Sequence, residues 1–224
     1  MQQAPARWRA NRGLEIALTA LFVVAIVVAL VRSVALASRL VVLDDPSASD
    51  FFSRASDADS FVRVMDVLLA LIVLAIVPCF IVWCFRAAKN QEALGRQPER
   101  LGAGWAIAGW FIPLANLVIP VLVIQDLWRG SDATIERGDP RWRIADRSWL
   151  IGWWWGLFLV SLLTFTGTPI DQRELDVAEV RGANLLAIVA MLCFAASAAL
   201  GAQVVRRLDA RQTETRATER GSDA

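Results

Sequence analysis

The 224-residue sequence predicts an all-α membrane protein with four transmembrane helices plus a Pro-broken re-entrant or kinked hydrophobic segment over residues 105–124. Three observations carry that prediction. First, the chain is 56% hydrophobic with a mean hydropathy of +0.47, and it gathers its apolar residues into four runs, 13–31, 67–85, 149–165 and 183–205. Glu15 is the only charge inside them, and each run is about the 17–25 residues a helix needs to cross a ~30 Å hydrocarbon core. Second, the runs lack period-2 alternation, which excludes barrel strands and leaves the helix as the backbone that satisfies its own hydrogen bonds in lipid. Third, the basic residues divide unequally between the connecting segments, in a way that fixes how many runs cross.

The first run follows Arg7, Arg9 and Arg12, and Ala35-Leu36-Ala37 resembles a signal-peptidase site. The run is longer than the usual 7–15-residue core and Arg32 lies before that site, so a retained first span is expected. Asp44, Asp45, Asp50, Asp57 and Asp59 then form an acidic extracytoplasmic loop, and the first region is 1–60. The second run leads into Arg86, Lys89 and Asn90, and the i, i+4 spacing puts Arg86 and Asn90 on one helical face.

The segment from 109 to 120 reads GWFIPLANLVIP. Pro113 and Pro120 each remove an N–H and clash with the carbonyl four residues back, so a helix breaks here. Broken backbone at membrane depth is tolerated only where protein or a wet cavity covers it. Two short limbs fit: residues 104–112, taken as helix, reach about 13 Å. Asn116 near the apex would bind a freed carbonyl, a neighbouring helix or a ligand. Asp126 and Arg129 form an i, i+3 pair just beyond, and Asp139-Pro140 reads as an N-cap and first helical position for the next helix, carrying Trp142 along the interface.

The run 149–165 contains Gly152 and Gly156 at GxxxG spacing, and the last run contains Ala195, Ser197 and Gly201. Small residues at these intervals let another helix backbone approach, so both are read as packing seams, with contact between copies as the sharper alternative. Residues 206–224 alternate acid and base without apolar anchors and are expected to be a disordered cytoplasmic tail.

Orientation follows from counting Lys and Arg, which accumulate on the cytoplasmic side. If 105–124 crosses fully, the best split of the 23 basic residues is 14 to 9; if it enters and leaves on one side, with the N-terminus inside, the split is 17 to 6. That second arrangement also puts all ten tryptophans on or near one interface, where indole rings concentrate. The expected location is the cell membrane, with both termini cytoplasmic.

Several motifs resemble one known family. Trp83, Arg86, Ala87 and Asn90 form a W-x-x-R-A-x-x-N segment; Gly104, Trp105, Trp110, Phe111, Pro113, Ala115, Asn116 and Pro120 form a GW-x-x-x-x-WF-x-P-x-AN-x-x-x-P segment, followed by Asp126, Trp128 and Arg129; a GWWW stretch occupies 152–155. Over about 61–205 the chain resembles the bacterial integral-membrane family catalogued as domain of unknown function 4328. Val121 departs from the aromatic often found there after the second proline. The resemblance implies an integral membrane protein and no particular activity.

The functional expectation is a non-catalytic helix-packing, assembly or scaffold module, with a channel, transporter or lipid- or small-solute-binding role of the re-entrant segment around Asn116 as the alternative. The chain has no histidine, which removes haem, most zinc sites and Ser-His or His-dependent phosphatase chemistry. Cys79, Cys84 and Cys193 fall inside apolar runs and form no Cys-x-x-Cys pair, so no metal, cofactor or disulfide is expected. Expected partners are the lipid bilayer and a second copy or another membrane protein, not nucleic acid.

Overall fold

The computed structural model describes residues 8–44, 47–96, 101–166 and 177–222. The described residues form α1 (Arg12–Val42), α2 (Phe51–Ala93), α3 (Trp105–Ala108), α4 (Ile119–Gly130), α5 (Trp149–Thr166) and α6 (Val177–Ser222), with 3-10 turns at Ala115–Leu117 and Pro140–Ile144. Three helices, Arg12–Val42, Phe51–Ala93 and Ala178–Gly221, are long and apolar enough to cross a membrane, and Trp149–Thr164 is a shorter apolar helix. Val23, Val27, Leu71, Leu74 and Leu163 on them are exposed, as lipid-facing side chains are. The protein is an all-α, multi-span membrane protein.

The chain forms two compact units whose boundaries fall inside α1, α2, α5 and α6. One comprises Leu21–Ala75 and Trp154–Ala199. Its core is built from small and flexible residues: Ala29 meets Ala190, Met191 and Ala195, with Ile26, Leu69 and Phe194 against them. Ser197 Oγ donates to the Trp154 carbonyl at 3.0 Å, so a hydroxyl on α6 holds α5. This is where Ala195 and Ser197 lie. By contrast, a Cβ at Gly152 or Gly156 would meet nothing within 4 Å, and both glycines are exposed. The GxxxG seam is therefore not used among the described residues, because α5 turns its other face inward and buries Trp154 and Trp155.

The acidic loop expected before residue 60 is largely helix. α1 continues to Val42 and α2 starts at Phe51, so residue 60 lies inside α2. Ion pairs extend the helices past their apolar windows: Arg32 pairs with Asp66, Arg39 Nε lies 2.7 Å from Asp59, and Arg181 pairs with Asp44. In the first two pairs both partners step by seven residues, two helical turns in opposite chain directions, so one face of α1 and one of α2 supply them.

The second unit comprises Met1–Ala20, Ile76–Trp153 and Leu200–Ala224. Trp83, Ala87, Ala106, Ile124, Trp142, Val204 and Leu208 are buried in it. The tail expected to be disordered is helical to Ser222. Beyond Leu208 its buried residues are Gln212 and Thr215, polar side chains one or two turns apart. They bond backbone carbonyls, so a segment without apolar anchors still has an inward face.

Candidate functional site

The second unit is held by side chains that bond backbone. α2 ends at Ala93, and Gly95 in the turn after it has a left-handed φ of +70° that reverses the chain. That turn points Arg96 inward, where it has no exposed surface. Its guanidinium donates to the carbonyls of Gly130 (3.0 Å), Ile135 (2.7 Å), Glu136 (2.5 Å) and Asp132 (3.2 Å), and lies 3.8 Å from Glu219. Burial lowers the Arg96 pKa and Glu219, Asp132 and Asp139 oppose the shift. One cation thereby gathers the carbonyls of an entire loop, which the rigid five-donor fork of Arg can do.

Amide side chains act in the same way. Asn90 Nδ2 donates to the Arg9 carbonyl and its Oδ1 accepts from the Arg9 N–H, both at 2.9 Å. Gln91 Nε2 donates to the Leu127 carbonyl at 2.8 Å, at the end of α4. Gln125 makes the same two-way clamp with Ser148, at 2.8 and 3.0 Å, fixing the start of α5. Gln212 on α6 donates to the Ala87 carbonyl at 2.9 Å, and Thr215 to that of Ser131 at 3.1 Å. The bonds to Arg9, Leu127 and the Ser148 N–H satisfy backbone groups at or beyond helix ends, whereas Gln212 adds a second donor to a carbonyl inside α2.

The proline segment folds as a tight hairpin. α3 is one turn, and i→i+3 bonds carry the chain to Trp110 and Phe111, at 3.1 Å each. The first limb is thus shorter than the nine-residue helix expected, because Gly109 ends the α-helical turn. Gly109 is buried against α4: a Cβ there would lie 2.4 Å from Ile119 Cγ2. Leu114 reverses the chain with φ 64°, a conformation that costs a non-glycine residue about 1–3 kcal/mol. Pro113 lies in this tip and is exposed. Pro120 occupies the first turn of α4 rather than a helix interior, where its missing N–H has no ladder partner to lose. Phe111 and Leu114 are 71% and 80% exposed, so the tip presents apolar side chains outward.

The remaining residues singled out by sequence fall into three places. Trp110 meets Phe80 edge-on at 5.7 Å, while Trp105 is partly exposed. Asn116 and Arg86 are half-buried, and neither side chain bonds a described residue. Asp126, Trp128 and Arg129 share the last turns of α4; Arg211 stacks on the Trp128 ring at 4.4 Å, and Arg129 Nη1 lies 3.8 Å from Asp126. Gly201 is buried in α6.

Asp139 caps the 3-10 turn Pro140–Ile144 by accepting from Arg141 N at 2.8 Å. That turn is separate from α5, which starts at Trp149, so Asp139-Pro140 caps a different element from the one expected. Its Trp142 is buried, and together with Asp126, Arg129 and Arg143 it lines a cleft of about 350 Å³. Sequence reading passed over Gln91, Arg96, Gln125, Trp142 and Arg143 as site residues. Gln91 next to Asn90 at the end of α2, and Gln125 closing the apolar stretch 117–124, were the available signal. Among the described residues no group of three or more His, Cys, Asp or Glu is placed to hold a metal.

No curated protein and no solved structure matches the chain. The family described as Domain of unknown function (DUF4328) matches residues 47–210, most of the chain, with α1 outside the match, and the protein belongs to that family.

Proposed function

We propose that this protein is a non-catalytic assembly module of the cell membrane. In this reading four helices cross the bilayer, the hairpin at 105–118 dips in and returns, and both termini are cytoplasmic. The observation that carries it is how the polar side chains of the second unit are used. Asn90, Gln91, Arg96, Gln125 and Gln212 are all bound to backbone, an arrangement suited to holding one fixed surface.

The partition of charge supports the topology. Fifteen of the twenty basic residues that the structure describes lie in the unit containing the chain termini, and so do eight of the ten tryptophans. Both flanks of the proline hairpin belong to that unit, as expected if they share one membrane face. The exposed Phe111 and Leu114 at its tip fit insertion into lipid.

The assembly role is tested by purification in mild detergent with light-scattering mass measurement. A dimer, or a stoichiometric membrane-protein partner, is expected. A lone monomer with nothing co-purifying contradicts the role.

A further inference from the structure

We infer that the cleft lined by Asp126, Arg129, Trp142 and Arg143 binds a phosphate group, as carried by a membrane phospholipid headgroup. Its volume of about 350 Å³ is in the range of small-molecule sites. The inference rests on the membrane reading for its source of ligand, but not for its chemistry.

Arg129 is the first reason. Its side chain is 12% exposed, and its nearest carboxylate, Asp126, is 3.8 Å away, beyond hydrogen-bond length. Its Nε is buried and has no hydrogen-bond partner. An arginine held this way retains donor capacity that burial makes costly to leave unspent. Phosphate oxygens match that fork in geometry and charge.

The second reason is the contribution of Trp142 and Arg143 to the same cleft. Arg143 is exposed at the rim, its guanidinium 5.8 Å from the centre of the Trp142 ring. Trp142 itself is 2% exposed and makes a rigid apolar floor. Two arginines against one aspartate leave a single net positive charge, which suits a phosphodiester monoanion better than a polyanion.

The third reason is the setting. Ile144 and Trp149, on either side of the short link into α5, are 83% and 70% exposed. A cationic cleft followed in the chain by an exposed aliphatic residue and, five residues on, an exposed indole has the composition of a membrane–water interface. Phospholipid is the source at hand there, and free phosphate is the other.

The test is thermal stabilisation of the full-length protein in mild detergent, titrated separately with phosphatidylglycerol, with diacylglycerol lacking a phosphate, and with inorganic phosphate. Saturable stabilisation by phosphatidylglycerol is expected, and none by diacylglycerol. Arg143→Gln alters an exposed side chain and leaves folding intact; it should weaken the phosphatidylglycerol response about tenfold, the loss of one charge-assisted hydrogen bond. Arg129→Lys should weaken it by a similar factor. Saturable stabilisation by inorganic phosphate that fails in Arg143→Gln supports the cleft with a soluble source of phosphate. Equal responses to phosphatidylglycerol and diacylglycerol, or responses unchanged in both variants, overturn the proposal. None of these outcomes depends on whether the hairpin re-enters or the protein assembles.

Discussion

The side-chain amide of Gln91 fills the space that a Cβ at Gly130 would need: Nε2 lies 2.1 Å from that position. From there Gln91 donates to the carbonyl of Leu127 at 2.8 Å. α2 and α4 thus meet through an amide seated on a glycine, and the identity of each residue depends on the other.

Gly130→Ala should therefore destabilise the protein. The amide is the far end of a flexible chain and can move, but only by giving up its bond to Leu127, a loss of about 1–2 kcal/mol. Thermal unfolding in detergent should register the loss. In Gln91→Ala/Gly130→Ala the two effects should be less than additive, as for residues in contact. Full additivity would contradict the fit.

Arg96→Met removes the guanidinium that gathers four carbonyls between Gly130 and Glu136. Leaving buried carbonyls unpaired should cost about 3 kcal/mol, and Arg96→Lys should recover only part of it because an ammonium cannot reach four acceptors in one plane. The expected readout is faster proteolysis and amide exchange within 130–139. Unchanged protection there would show that the loop holds itself.

Asp66→Ala should destabilise more than Asp59→Ala. Arg32, the partner of Asp66, has a side chain only 8% exposed, so its charge is left buried; Arg39, the partner of Asp59, is 19% exposed and keeps Asn184 at 2.9 Å. The first loss is on the order of 3 kcal/mol and the second below about 1 kcal/mol. Denaturation of the two variants side by side gives the order directly.

Acid should loosen the 130–139 loop. Burial pushes the Asp132 carboxyl up, but hydrogen bonds from the Thr134 hydroxyl and amide, with Arg211 and Arg96, hold it net below the usual carboxylate value. Asp139 is held down by its bonds from Arg141. For a carboxylate with a lowered folded pKa, the contribution is present above the unfolded value near 4 and is lost as pH falls through the folded one. Amide exchange in the loop should be indifferent to these groups between pH 5 and 8 and should rise, after correction for intrinsic rate, below pH 4. Loosening already at pH 6 would assign the effect elsewhere.

Much of the helical layout was legible from hydropathy, because lipid imposes long apolar runs on any helix that crosses it. The helix ends were not. α1 and α2 run on through charged residues because Arg32, Arg39, Asp59 and Asp66 pair across helices, and such pairing is invisible along one segment. The same limit hid the helical tail, where Gln212 and Thr215 face inward only because Ala87 and Ser131 offer carbonyls. The prolines marked the break correctly, yet Pro120 proved to start a helix rather than interrupt one. Asn90 shares a helical face with Arg86 by spacing, but what it binds, the backbone at Arg9, lies far away in sequence. The cleft was half legible, since Asp126 and Arg129 lie one helical turn apart on α4 while Trp142 and Arg143 come from a separate turn.

The central claim is that the proline hairpin enters and leaves on one face of the membrane. The most direct measurement is labelling of single cysteines by a membrane-impermeant reagent in intact cells and in inverted vesicles. Lys89→Cys and Ile144→Cys, both exposed and on opposite sides of the hairpin in sequence, would be placed in a variant lacking Cys79, Cys84 and Cys193. Both positions should label only in inverted vesicles. Labelling of one in intact cells and the other in inverted vesicles would mean that 105–124 crosses the bilayer, and would contradict the account.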